Sequence, residues 1–198
     1  MRISFRILHF LCIMLSENDC LFRIEDRGLK TQRMVIPMNE SQARRLVDTY
    51  ADMILRISCQ YLKHTMDAED ICQTVFLKYL TSAPDFSGPQ HEKAWIIRTT
   101  VNACKDHLRS AFFRHTVSLE EAAAVAAPQV PDSGVLRVLR QLPENYRICI
   151  YLHYYEDYTG KEIAAILGKS ESAVAQYLSR GRQKLKKLLS DAERSNYL

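Results

Sequence analysis

The chain has 198 residues, 47% of them hydrophobic and 25% charged: enough apolar material for packed cores, and a composition that excludes global disorder. Six glycines and six prolines leave little room for a turn-rich all-β fold. A formal net charge of +4 and a pI near 8.7 are too mild to argue by themselves for a nucleic-acid partner.

This length fits one ordinary domain or two small ones. The six cysteines, at positions 12, 20, 59, 72, 104 and 149, form no CxxC pair, and Cys104 and Cys149 sit within apolar helical patterns. A reduced, cytoplasmic protein with buried thiols is the simplest account. The six histidines do not fall at ligand spacing with these cysteines, so neither a metal site nor a cofactor is expected.

In chain order, residues 1–37 form an extension without sustained periodicity. Its apolar run Ile7–Leu15, preceded by Arg2 and Arg6, is too short to span a bilayer. No small-residue cleavage site follows it. No membrane insertion is expected, and Met34 or Met38 is the expected true start.

A first helical block is expected over residues 38–116. Leu46, Tyr50, Met53, Ile54, Ile57 and Tyr61 recur on one helical face. Asp67-Ala-Glu-Asp70 opens a second helix, its acids placed where the helix dipole favours them; Ile71, Val75 and Tyr79 continue it to a loop at 82–89. Asp70, Gln73, Phe76 and Leu77 are expected to be exposed on that helix. A face mixing acid, amide and apolar groups suits partner docking, although many ordinary surface helices look the same.

A third helix, from about Glu92 to Phe113, separates into two stripes. Ile97, Val101, Cys104 and Leu108 are expected in the core. Arg98, Asn102, Lys105 and Arg109 repeat the same four-three-four spacing on the neighbouring face, with Trp95 one turn earlier. Cations attract phosphates, an amide can read a base edge, and an indole can stack on an unpaired base. A solvated helix face beside a core tryptophan gives the same pattern, and the residues alone leave both readings open.

Residues 117–134 are alanine-rich and then broken by Pro128, Pro131 and Gly134, the signature of a linker. A second block over residues 135–190 is expected to hold four helices, with a tail at 191–198. The first runs Val135–Gln141; the next starts with Pro143 in its first turn and ends near Tyr155. Thr159 and Glu162 then have the spacing of a capping box, Gly168 suits a tight turn, and Ser170 is a good N-cap. In the last helix Val174, Leu178, Gly181, Leu185 and Leu188 face the core. Ser172, Ala175, Gln176, Ser179, Arg180, Arg182, Gln183, Lys186 and Lys187 lie opposite. From Gly168 onward there are seven Lys/Arg against three acids. Small and amide side chains followed by cations suit a helix whose start meets base edges and whose later turns meet phosphates.

No strand pattern and no internal repeat is present, so the expected fold is all-α: two small helical domains joined by a flexible linker. No catalytic arrangement is found: there is no P-loop, GxSxG or HExxH, and the carboxylates lie on surface faces without a partner in sequence. An enzyme is not expected.

Taken in this order, the segments resemble the sigma-70 family of RNA polymerase sigma factors, in its small two-domain, extracytoplasmic-function (ECF) form, over about residues 40–190. Asp67-Ala-Glu-Asp-Ile-Cys-Gln-Thr-Val-Phe-Leu77 resembles region 2.2, which grips the clamp helices of the polymerase β′ subunit. Trp95–Arg109 resembles regions 2.3 and 2.4, which melt and read the −10 element. Leu142–Arg147 and Glu162–Leu185 resemble region 4, which reads the −35 element.

The resemblance implies promoter-specific initiation with core RNA polymerase (β′ clamp helices and β flap), promoter DNA and an anti-sigma factor as partners. It implies polymerase docking through Asp70, Gln73, Phe76 and Leu77. It implies −10 contacts by Trp95, Arg98, Asn102, Lys105 and Arg109, and −35 contacts by Ser172, Ala175, Gln176, Ser179, Arg180, Arg182 and Lys186. This chain departs from the usual pattern in having Ala173-Val174 at the start of the recognition helix and Gly181 between two arginines. An interior glycine costs about 1 kcal/mol against alanine and suggests close packing. The alternatives are a conventional helix-turn-helix regulator with a sensor or dimerisation domain, and a helical adaptor that touches no DNA.

Overall fold

The computed structural model describes residues 21–22, 34–35, 40–82, 85–117 and 134–195. The chain divides into two compact units between Glu120 and Glu121. Of the two expected start sites Met38 lies outside the described residues, as do most of the N-terminal extension, the linker over 118–133, and Cys12 and Cys20.

Apart from a two-residue antiparallel ladder, the described structure is helical. In the ladder β1 (Leu21–Phe22) pairs with β2 (Met34–Val35), Leu21 opposite Val35 and Phe22 opposite Met34. The sequence carries no period-two pattern that would announce so short a pairing.

In the first unit α1 (Glu40–Tyr61), α2 (Thr65–Ser82) and α3 (Pro89–Val117) pack pairwise on one another. The α1 stripe is buried as its periodicity requires: Leu46, Tyr50, Ile54 and Ile57 are at most 5% exposed. Helix α2 begins two residues before Asp67, which stays in its first turn. It buries Ala68, Ile71, Cys72, Val75, Phe76, Tyr79 and Leu80, a stripe two residues wide, because both α1 and α3 cover it. Helix α3 begins three residues earlier than expected, with Pro89 in its first turn after Gly88, where the missing N–H costs nothing. Glu92, Ile96, Ile97, Thr100, Val101, Ala103 and Cys104 are its buried set. Leu108, expected in the core, is 39% exposed.

In the second unit α4 (Gly134–Leu139), α5 (Glu144–Tyr154) and α6 (Gly160–Leu167) gather on α7 (Glu171–Ser195). Leu139, Cys149, Tyr151, Leu152, Ile163 and Val174 are its most deeply buried side chains. Pro143 stands at the N-cap of α5, not within its first turn; its carbonyl accepts from the Tyr146 and Arg147 amides. The turn from α5 to α6 passes through Asp157, whose φ of 60° is left-handed, a backbone state aspartate tolerates better than most residues. There the His153 Nδ1–H donates to the Tyr158 carbonyl at 2.8 Å. No helix among the described residues is long and apolar enough to cross a membrane.

Candidate nucleic-acid interface

The recognition helix is built on the local signals its sequence carries. The Thr159 hydroxyl accepts from the Glu162 amide at 3.3 Å. The Glu162 carboxylate accepts from the Thr159 amide at 2.8 Å, completing the box. The Thr159 hydroxyl, which donates to the same carboxylate at 2.7 Å, and then the Thr159 amide favour the charged form and hold the Glu162 carboxyl below its usual range. Gly168 closes α6 with φ 62° and ψ 42°, a conformation that glycine alone adopts without penalty. The Lys169 amide reaches back to the Ala164 carbonyl. Ser170 caps α7, its hydroxyl accepting from the Ala173 amide at 3.2 Å.

With that turn fixed, α7 buries Val174, Leu178 and Gly181 and half-buries Leu185 and Leu188. Ser172, Ala175, Gln176, Ser179, Arg180, Arg182, Gln183, Lys186 and Lys187 are all exposed. At 100° per residue, Ser172, Gln176, Ser179 and Gln183 form one uncharged polar stripe. Arg182 and Lys186 flank it on one side; Arg180, Lys184 and Lys187 flank it on the other. A shallow concavity beside the start of α6 is lined by Lys161, Ser172, Ala175 and Arg182.

Gly181 is a point of close approach: a Cβ built there would lie 2.8 Å from Ile150 Cδ1 and 3.2 Å from Tyr146 Cβ. Beside the Arg182 and Lys186 flank, Leu139, Ile150, Tyr154, Leu185 and Leu189 line an apolar groove to which those two cations also contribute. Tyr154 and Tyr155 are exposed there at 54% and 42%.

In the first unit α3 presents Arg98, Asn102 and Arg109 exposed and Lys105 half-buried. Trp95 is half-buried and packs edge-on against Tyr79 and Phe86, ring centroids 5.8 and 5.9 Å away. Its indole is therefore seated in an aromatic cluster at the head of the stripe.

What positions α3 is a polar hub that sequence reasoning missed. Glu92, 7% exposed, accepts from Arg45 Nη1 and Nη2 at 3.2 and 2.9 Å. It also accepts from the Tyr50 and Tyr79 hydroxyls at 2.8 and 2.5 Å. The carboxylates were expected to lie unpartnered on surface faces; this one is interior and ties α3 to α1 and α2. The Arg45 guanidinium and then the two hydroxyls hold its carboxyl near about 2, against the opposing effect of burial. Burial, followed by the bond to Glu92, pushes the Tyr79 hydroxyl up to about 12.

The expected docking face on α2 needs one correction. Asp70 is exposed and Gln73 and Leu77 are half-buried, but Phe76 is 2% exposed. It lies in the core one turn after Cys72 and cannot meet a partner. Among the described residues no cluster of histidine, cysteine or carboxylate side chains could hold a metal ion.

Two helical units, one ending in a capped helix-turn-helix and the other carrying a cationic helix face, define a class of helical nucleic-acid-binding protein. Comparison with known proteins specifies it. The family model "Sigma-70 region 2" matches residues 46–112, and "Sigma-70, region 4" matches residues 134–185. The ECF RNA polymerase sigma factor SigW of Bacillus subtilis is 26% identical over 164 residues, covering 74% of this chain and 88% of that protein. The ECF RNA polymerase sigma factor SigM of Mycobacterium tuberculosis is 32% identical over 126 residues, covering 62% of this chain and 64% of that protein.

Two solved structures share the fold. The sigma factor RpoE of Bartonella quintana, in complex with the anti-sigma factor NepR, aligns with a TM-score of 0.61 at 19% identity, over 76% of this chain and 98% of that one. CnrH, in complex with the cytosolic domain of CnrY, aligns with a TM-score of 0.54 at 22% identity, over 77% of this chain and 90% of that one. The chain belongs to the sigma-70 family of RNA polymerase sigma factors and is of the ECF type. It is a subunit that directs transcription initiation; a conventional helix-turn-helix regulator is not favoured.

Proposed function

We propose that residues 38–116 bind core polymerase and the −10 element, that residues 135–190 read the −35 element, and that residues 117–134 link the two. Asp70, Gln73 and Leu77 dock on the β′ clamp helices. Arg98, Lys105 and Arg109 hold the phosphates of the non-template strand, and Asn102 contacts a flipped-out base. Trp95 supports that strand from its aromatic cluster. Ser172, Ala175, Gln176 and Ser179 face the −35 bases, and Arg180, Arg182 and Lys186 its phosphates.

The apolar groove between Leu139 and Leu189 is the second unit's surface for the β flap, since a contiguous apolar face rimmed by polar groups marks a protein contact. An anti-sigma factor is a further partner, as the complexes of RpoE with NepR and CnrH with CnrY support. The protein works in the cytoplasm and has no catalytic chemistry of its own.

The observation that carries this reading is the row Arg98, Asn102, Arg109, exposed on a helix anchored at Glu92, in a unit separate from the recognition helix. A sensor domain has no reason to carry it. The test is run-off transcription with core polymerase, with permanganate mapping of unpaired thymines. Asn102→Ala is expected to leave polymerase binding intact and reduce promoter opening about tenfold, within the range for losing one good base contact. Unchanged opening would refute the assignment. Gln176→Ala is expected to alter −35 preference and leave opening of a pre-melted −10 bubble unaffected.

A further inference from the structure

Lys184 belongs to none of the contacts assigned above, yet its placement is specific. It is exposed, and its ammonium stands over the Tyr146 ring, 5.6 Å from the centroid, within cation–π range. Tyr146 is set in turn by two residues of the same helix. Its ring lies 5.8 Å from that of Tyr177, and its Cβ approaches the bare face of Gly181. Tyr177, Gly181 and Lys184 follow one another on α7 at steps of four and three, one line along the helix.

An interior glycine weakens a helix, so Gly181 calls for a packing reason. The reason is a notch: a side chain there would displace Ile150 and crowd Tyr146. With the notch empty, α5 brings an aromatic ring under a lysine whose stem would otherwise sample many rotamers.

The position of this cation matters more than its presence. The polar stripe Ser172, Gln176, Ser179, Gln183 has Arg182 and Lys186 on one flank. On the other, Arg180, Lys184 and Lys187 follow at steps of four and three, all exposed. A helix in the major groove lies between two phosphate backbones, and cations on both flanks can meet both. We propose that Lys184, seated on Tyr146 in the Gly181 notch, is a DNA-phosphate contact on the flank opposite Arg182 and Lys186, so that both strands of the groove grip the recognition helix. This rests on the reading of α7 as the −35 helix; Tyr146 is a positioning residue.

The experiment uses holoenzyme assembled from the full chain and core RNA polymerase. It is titrated between 50 and 200 mM salt, conditions chosen for the strong electrostatic dependence there, onto a duplex that the unmodified holoenzyme selects from a random pool. Lys184→Ala is expected to flatten the slope of log affinity against log salt by about 0.9, the loss of one phosphate contact, and to weaken all −35 variants alike. Lys184→Arg is expected to retain the slope. Tyr146→Leu is expected to lose part of it while circular dichroism shows the helices intact, and Tyr146→Phe, which keeps the ring, to restore it.

If Arg182→Ala flattens the slope and Lys184→Ala does not, the proposal is overturned and the −35 reading stands. If neither changes it, the reading of α7 falls as well. An unchanged slope with weakened binding to core polymerase would assign Lys184 to a protein surface and overturn the proposal. A melting temperature lowered by Tyr146→Leu with no effect on the slope would overturn the positioning role.

Discussion

Replacing Glu92 by glutamine keeps the shape of the hub and removes its charge, which makes it the sharpest probe of how the first unit is held together. The folded-state carboxyl is held down to about 2 against an ordinary 4.5, equivalent to at most about 3 kcal/mol at neutral pH. Arg45, the largest contributor, has a side chain 52% exposed; screening by water trims its share, leaving about 2 kcal/mol. The folded pKa is depressed, so this stabilisation is fully present above about 4.5 and fades as the pH falls towards 2.

Trp95 is the sole tryptophan and lies three residues after Glu92, so its fluorescence reports the first unit without interference from the second. Urea titrations at pH 7 are expected to show Glu92→Gln less stable by about 2 kcal/mol, and the gap to narrow at pH 3. A variant within 0.5 kcal/mol of the unmodified protein at pH 7, or a gap unchanged at pH 3, would refute the electrostatic account, since surface substitutions alone reach about that size.

Two further predictions concern packing and thiols. Gly181→Ala sets a helix-propensity gain of about 1 kcal/mol against contact with the end of Ile150 and is expected to be nearly neutral. Gly181→Val is expected to cost about 2 kcal/mol through overpacking, seen as a lower melting temperature by circular dichroism. Burial pushes the Cys72 and Cys149 thiols well up, Cys149 to about 12. A thiol reagent at pH 8 is therefore expected to reach both only as their units unfold, and rapid labelling of either in the native protein would contradict that burial.

The parts of the fold legible in the sequence are those written within a few residues. The α1 stripe, the capping box at Thr159 and Glu162, the left-handed Gly168, the Ser170 cap and the buried line of α7 are local signals, and each appears where the spacing puts it. Glu92 was missed because its partners Arg45, Tyr50 and Tyr79 lie 47, 42 and 13 residues away, beyond any helical period. Phe76 was misplaced because a helix covered from two sides buries a wider stripe than one face predicts. The opposite error is at Leu108, which repeats the core spacing of α3 yet is 39% exposed. Of the candidate site, the exposure of the polar residues and of Arg180, Arg182, Lys186 and Lys187 on α7 was legible, while the seat of Lys184 on Tyr146 and the order imposed on Trp95 by Tyr79 and Phe86 were not.

The short turn between α6 and α7 acts as an angular gauge. It is pinned at one end by the Lys169 amide on Ala164 and at the other by the Ala173 amide on Ser170. A residue inserted within the first turn of α7, ahead of Ser172, would shift the register of every later side chain by 100°. A single insertion would carry Ser172, Gln176, Ser179 and Gln183 off the presented face and bring a different row of side chains round in their place. Under the proposed −35 reading, preference would then change by substitution along that row and not by the length of the turn.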